Sequence, residues 1–261
     1  MNITFIQTAL AWEDQQKNLT HFEKLISTIS SPTDLILLPE MFTTGFTMNP
    51  QQNAEENLGD GFKWMQKMAN QKNVIVTGSI STRDNLSYFN RLYWVEPNGK
   101  HQVYNKRHLF RMAKEDAHYT AGTKKLITKV NDWNVCPLIC YDLRFPVFSR
   151  NRFVDGKWDY DVLIYVANWP EARAYPWKQL LIARAIENQC YVVGVNRIGE
   201  DGNGIAHSGD SMVINPRGEV ISKTKANEES VETITLDKEY LNEFRKVFPV
   251  GMDADSFELN I

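Results

Sequence analysis

The chain reads as an α/β protein, and three observations point there. Over residues 3–79, short apolar runs alternate with helical stretches in the order β-α-β-α-β. Over residues 80–104 the pattern changes to alternating polar and apolar positions broken by turn signals. From residue 134 the β-α alternation returns. Two β-α halves around a β-rich middle predict either two sheets packed face to face with helices outside, or one large mixed sheet.

Each element has its own reason. Residues 3–7 are apolar enough for a strand. Residues 13–30 place Leu19, Phe22, Leu25, Ile26 and Ile29 on one helical face. Asp34 leads into Leu35-Ile36-Leu37-Leu38, apolar throughout, as expected of a strand covered on both sides. Residues 59–71 predict a helix and 74–79 a strand. Residues 80–83, 88–95 and 102–104 predict an antiparallel meander, turned at Asp84-Asn85 and Pro97-Asn98-Gly99. Then follow a strand at 134–139, a helix at 147–153, a strand at 162–166, a helix at 177–188 and a strand at 191–195. Residues 211–214 and 220–223 flank Pro216-Arg217-Gly218 and predict a hairpin. Residues 231–236 predict a strand, 238–246 a helix, and the stretch from Pro249 a tail. No Pro/Gly/Ser-rich linker interrupts the chain. The expectation is one domain over 1–261, with a core of about 1–236 and a C-terminal helix and tail over 237–261.

Composition excludes several classes. Hydrophobic residues make up 43% and charged residues 23% of 261, ordinary values for a soluble globular protein with a sizeable core. A net charge of -3 gives no field for nucleic acid or an anionic membrane. Three cysteines do not make a disulfide framework, and no CxxC or Cys/His cluster suggests zinc, so neither metal nor cofactor is expected. No apolar run approaches the ~20 residues of a membrane span, and the N-terminus lacks a signal-peptide pattern, which predicts a cytoplasmic protein.

Cys140 carries the strongest chemical signal. It ends the apolar run from Val135 and opens the polar turn Tyr141-Asp142-Leu143-Arg144. Cys136 and Cys190 lie in apolar contexts and read as core residues. Glu40 sits just past the buried Leu35 run, behind the rigid Pro39, where ligands of α/β sheets bind. Lys106 ends another strand. Singly, each has an ordinary explanation: a solvated turn acid, an exposed basic patch with Arg107 and His108, a buried inert thiol. Together they make chemical sense. A thiol of pKa ~8.5 needs a base at neutral pH, and Glu40 can take its proton. Lys106 and the backbone N–H of Tyr141 can hold the oxyanion formed when the thiol attacks a carbonyl. Glu40 can then protonate departing ammonia and activate water on the thioester. His108 and His118 have no orienting carboxylate beside them in sequence.

Leu37-Leu38-Pro39-Glu40, Tyr104-Asn105-Lys106 and Ile139-Cys140-Tyr141-Asp142-Leu143-Arg144-Phe145-Pro146 resemble, in order and spacing, the Glu–Lys–Cys motifs of the nitrilase superfamily of carbon–nitrogen hydrolases. Val166-Ala167-Asn168-Trp169-Pro170, residues 183–188, Gly209-Asp210-Ser211 and Asn215-Pro216-Arg217-Gly218 extend the match. The resemblance implies a four-layer α-β-β-α sandwich and a homodimer paired largely through residues 172–188. It implies a second glutamate, Glu115, with Asp116 as the alternative. The Glu40, Lys106 and Cys140 segments look most like bacterial ω-amidases, which act on ω-amides of α-keto acids such as 2-oxoglutaramate. Nitrilase or N-carbamoyl amide hydrolase activity, or a catalytically idle assembly protein, are the alternatives. The substrate's far carboxylate would need a cation. Arg173 is one candidate and Arg144 another, although Arg144 is expected to lie buried behind the nucleophile turn, paired with a carboxylate. Phe42, Phe46, Tyr119 and Trp169 are candidate aromatic walls, and Asn168 a candidate polar contact.

Overall fold

The computed structural model describes residues 1–259. One sheet runs in the order Ser230–Thr235, Asn2–Gln7, Leu35–Leu37, Ile75–Asp84, Ser87–Val95, His101–Asn105, with the short Glu55–Glu56 pairing beside Ile75–Asp84. The other runs Met212–Ile214, Tyr191–Asn196, Val162–Ala167, Trp133–Ile139, Thr128–Val130. Each has a parallel centre and antiparallel flanks.

Side-chain alternation shows how the layers stack. Ile3, Phe5, Leu35, Leu37, Leu92 and Trp94 share one core with Val135, Leu138, Ile164 and Val193 of the second sheet. Their neighbours Ile6, Ile36 and Leu38 face the other way, onto Leu19, Phe22, Phe62, Met65 and Met68 of the helices Gln15–Ser27 and Asp60–Lys72. The second sheet carries the helix Ala174–Asn188 on its outer side through Trp177, Leu181 and Ala185. Gly194 lets that helix approach: a Cβ there would lie 2.4 Å from Leu181 Cδ1 and 2.8 Å from Trp177 Cζ2. The layers are therefore α-β-β-α.

Four local expectations change. Residues 74–79 and 80–83 are one strand, Ile75–Asp84, parallel to Leu35–Leu37 on one side and antiparallel to Ser87–Val95 on the other. The helix expected at 147–153 is the single turn Pro146–Ser149. It stops because Asn151 is held elsewhere: its N–H donates to Asn188 Oδ1 at 2.8 Å and its amide to the Tyr160 carbonyl at 2.8 Å. The hairpin expected after Ser211 keeps its first arm, but its second is not a regular strand: it joins the first through an isolated bridge between Ile214 and Val220, with the Ile221 N–H donating to the Val213 carbonyl at 2.8 Å. The expected tail includes a turn, Val250–Asp253, seated on Phe153 and Trp158 through Gly251.

The carboxylate of Glu55 is an unusual component of this scaffold. It caps the helix Asp60–Lys72 by accepting from the Gly61 N–H at 2.5 Å, while its Oε1 is buried without a partner among the described residues. Burial raises its pKa from 4.5 to about 7, with the nearby Asp60 adding to the shift and the Gly61 bond opposing it. A folded value above the unfolded one means this group favours folding fully below pH 4.5 and progressively less as pH rises to about 7. Glu55→Gln is thus expected to stabilise the protein at pH 8 by on the order of 2 kcal/mol, and not at pH 4. Thermal melts at the two pH values check this; equal shifts at both would contradict it.

Candidate active site

The Glu40, Lys106 and Cys140 segments converge at the ends of the central strands. Glu40 follows Leu35–Leu37, and the chain then turns sharply at Met41, whose φ is +43° and whose N–H donates to Ser79 Oγ at 2.8 Å. Cys140 follows Trp133–Ile139 with φ +42°, at the start of the short helical turn Cys140–Arg144. Left-handed backbone is costly for residues with a Cβ and persists where surrounding contacts enforce it. Both strand ends therefore aim a side chain where relaxed chain would not. Lys106 follows His101–Asn105 and is tied across the sheet by its N–H to the Asn90 carbonyl at 2.9 Å.

The side chains of Glu40, Lys106 and Glu115 are fully buried against one another. Lys106 Nζ lies 2.8 Å from Glu40 Oε1 and 3.0 Å from Glu115 Oε2, and 4.9 Å above the Phe46 ring. Glu40 Oε2 accepts from the Asn168 N–H at 2.8 Å, and Glu115 Oε2 from the Phe110 N–H at 2.6 Å. Burial opposes the charge of Lys106, but Glu115 and Glu40 outweigh it and hold the ammonium firmly protonated. Burial pushes Glu115 up against the pull of Lys106. Burial, and then the Glu40 carboxylate, push the Cys140 thiol well above its usual range, so it rests protonated at neutral pH and needs a base to react. Above this cluster opens a cavity of about 400 Å³. Lys106, Cys140, Tyr141, Asn168, Trp169 and Phe46 line it, and so do Arg144, Arg173 and His207, along with Phe110 and Ile205.

Residues 2–246 match the carbon–nitrogen hydrolase family. The chain belongs to that family. It is 45% identical over 259 residues to the omega-amidase YafV of Escherichia coli K12, covering 99% of this chain and 98% of that protein. It is 33% identical over 254 residues to the 2-oxoglutaramate amidase of Bacillus subtilis 168, covering 96% of each. The crystal structure of XC1258 from Xanthomonas campestris, a CN-hydrolase superfamily protein with an arsenic adduct in its active site, matches with a TM-score of 0.97. The two are 42% identical, over 100% of this chain and 99% of that one. Nit3 of Saccharomyces cerevisiae, 22% identical, shares the fold at a TM-score of 0.83, over 96% of this chain and 94% of that one.

In this carbon–nitrogen hydrolase, three expectations are corrected. Phe42 is not a pocket wall: it is fully buried beneath, edge-on to Phe22 and against Trp64. Nor does Tyr119 line the pocket, because its hydroxyl is occupied by Ser81 Oγ and the Thr47 carbonyl, each at 2.9 Å. Arg144 is exposed in the pocket, 5.0 Å over the Trp169 ring, and has no ion-pair partner among the described residues. The arginine behind the turn is Arg184, buried and donating to the Leu143 carbonyl at 2.6 Å. Asp116 pairs on the surface with Arg111 at 2.6 Å, which leaves Glu115 as the acid in the cluster.

Other residues, not singled out from the sequence, hold the candidate site together. The Asn90 amide donates to Glu40 Oε1 at 2.8 Å and to Glu115 Oε1 at 3.2 Å. Asp142 joins the nucleophile turn to the lysine loop. It accepts from the Ile139 N–H at 3.0 Å, the His108 N–H at 3.0 Å, His108 Nδ1 at 2.7 Å and the Tyr104 hydroxyl at 2.7 Å. His108, with no carboxylate beside it in sequence, thus has one in space. His207 supplies a further pocket residue.

Proposed function

We propose that this chain is an ω-amidase that hydrolyses the terminal amide of a small α-keto acid such as 2-oxoglutaramate. The observation that carries the reading is the buried Glu40–Lys106–Glu115 cluster under Cys140, in a pocket that also presents two arginines, Arg144 and Arg173, without an ion-pair partner among the described residues. The likeness to proteins named omega-amidase and 2-oxoglutaramate amidase supports the substrate class.

The Cys140 thiol gives its proton to Glu40 as sulfur attacks the amide carbon. Lys106 Nζ and the Tyr141 N–H, at the start of a helical turn where such groups lack intrahelical partners, hold the resulting oxyanion. Collapse breaks the C–N bond. Glu40 returns its proton to the nitrogen, and ammonia leaves a Cys140 thioester. Water then attacks the thioester, Glu40 takes a proton from it, and collapse releases the acid and restores the thiol. Glu115 and Asn90 keep Lys106 and Glu40 in place throughout. Asn168, Trp169 and Phe46 enclose the reacting end, and Arg144 or Arg173 binds the far carboxylate. Two copies pair through the helix Ala174–Asn188, whose Tyr175 and Ile186 are exposed, and the enzyme works in the cytoplasm.

Purified protein, eluting as a dimer on a sizing column, should release ammonia from 2-oxoglutaramate faster than from a nitrile or an N-carbamoyl amino acid. Faster turnover of either rival would overturn the substrate assignment, and a monomeric elution the pairing.

A further inference from the structure

His207 is a buried histidine that the mechanism above does not use. It lies in the short strand Ala206–Ser208, paired with Ile198–Glu200. That strand packs against the turn Glu171–Arg173, which brings Arg173 to the pocket. His207 is 3% exposed and still lines the cavity. Its Nδ1 has no hydrogen-bond partner among the described residues.

Two charged neighbours define its surroundings. Arg197 is fully buried with no carboxylate partner among the described residues; it donates to the carbonyls of Ile198 at 3.1 Å and Glu200 at 2.9 Å, and its NH1 is unpartnered. Asp201, also in the pocket wall, accepts from the N–H groups of Asn203 at 2.8 Å and Ile205 at 3.0 Å and so is tied to its own loop. Burial, then Arg197, lower the His207 pKa to about 4, against the weaker pull of Asp201 and of the Ile205 and Gly199 carbonyls. The ring is neutral at pH 7. A neutral imidazole keeps one N–H donor and one acceptor nitrogen. It can donate a hydrogen bond to a carbonyl oxygen without adding a third cation beside Arg173 and Arg144.

We infer that His207 is a specificity-determining residue that donates a hydrogen bond to the 2-oxo oxygen of the substrate. The inference rests on the ω-amidase reading. In an α-keto acid ω-amide the oxo carbon adjoins the carboxylate. A carboxylate held by Arg173 therefore places the oxo group beside the strand that packs on the Arg173 turn. A buried donor left without an acceptor disfavours any substrate that lacks one, which is how such a contact selects.

The test compares two acids differing only at that position, 2-oxoglutaramate and glutaramate, in the wild-type dimer and in His207→Phe and His207→Gln. Wild type should prefer 2-oxoglutaramate in kcat/KM. His207→Phe, a ring without nitrogens, should cut that preference about 10-fold by lowering only the 2-oxoglutaramate value. His207→Gln keeps a donor and should retain most of it. An unchanged preference in His207→Phe, or an equal loss on both substrates, overturns the assignment. If His207→Phe does not fold, His207→Ala reads the same ratio. Wild-type protein inactive on both acids would instead overturn the ω-amidase reading beneath it.

Discussion

Cys140→Ala is expected to lower ammonia release by at least about 10⁴-fold, to the limit of detection, while the protein stays folded. The loss follows from removing the only group in the proposed mechanism that bonds to the substrate. The fold should survive for two reasons. Alanine keeps the Cβ, so the strained φ of +42° is neither relieved nor worsened. The side chain borders the pocket as well as the edge of the core, so loss of the sulfur mainly enlarges a space that is already open. Ammonia assays and thermal melts on the same preparation separate the two effects. Turnover retained in the variant would remove the thioester from the mechanism. Glycine would be a poorer choice, because it would also release the backbone.

Lys106→Met should damage both activity and stability. The oxyanion loses its charged donor, which costs on the order of 10²–10³ in kcat. The same change strands the buried carboxylates of Glu40 and Glu115 with only neutral donors around them among the described residues. Breaking a buried ion cluster by deleting one member typically costs about 3–5 kcal/mol. One of the stranded carboxylates can relieve this by taking up a proton. A group protonated more readily in the folded than in the unfolded protein favours folding at low pH. The variant should therefore melt closer to wild type at pH 5 than at pH 8. A gap of the same size at both values would show that the carboxylates do not depend on Lys106.

Much of the candidate site was legible because its residues end strands. Glu40 and Cys140 each break a run of buried apolar residues, and Lys106 ends an alternating one, so a charged or reactive group stands out against its background. Asn90 did not stand out. It lies within the alternating strand Ser87–Val95, where a polar residue ordinarily marks the solvent side, yet it is fully buried. Both faces of that part of the sheet are covered, so period alone does not distinguish them. The place expected for Arg144 is taken by Arg184 for a related reason. Distance in sequence from Cys140 says nothing about which arginine lies behind it, and the helix Ala174–Asn188 delivers Arg184 to the Leu143 carbonyl from 41 positions away. Phe42 and Tyr119 show the opposite error. Aromatics near a reactive residue in sequence suggest pocket walls, but one is wedged between the sheet and its helices and the other is anchored by its hydroxyl. The helix at 147–153 was cut short by a buried asparagine whose partners, Tyr160 and Asn188, lie outside any local window.

The pairing of Glu40 with a protonated Cys140 has a consequence for the work the protein must do. In the proposed first step a proton passes from sulfur to carboxylate while an electron pair moves from sulfur through carbon to oxygen. One negative charge sits on Glu40 before the step and on the substrate oxygen after it; Lys106 Nζ, 2.8 Å from Glu40 Oε1, holds the first and in the proposed mechanism also the second. The interior never has to create or swallow an ion. Its dipoles and the Lys106 ammonium, already oriented toward negative charge in the resting protein, need only let that charge migrate a short distance. The solvation that stabilises the folded protein is thus also the solvation that receives the reaction.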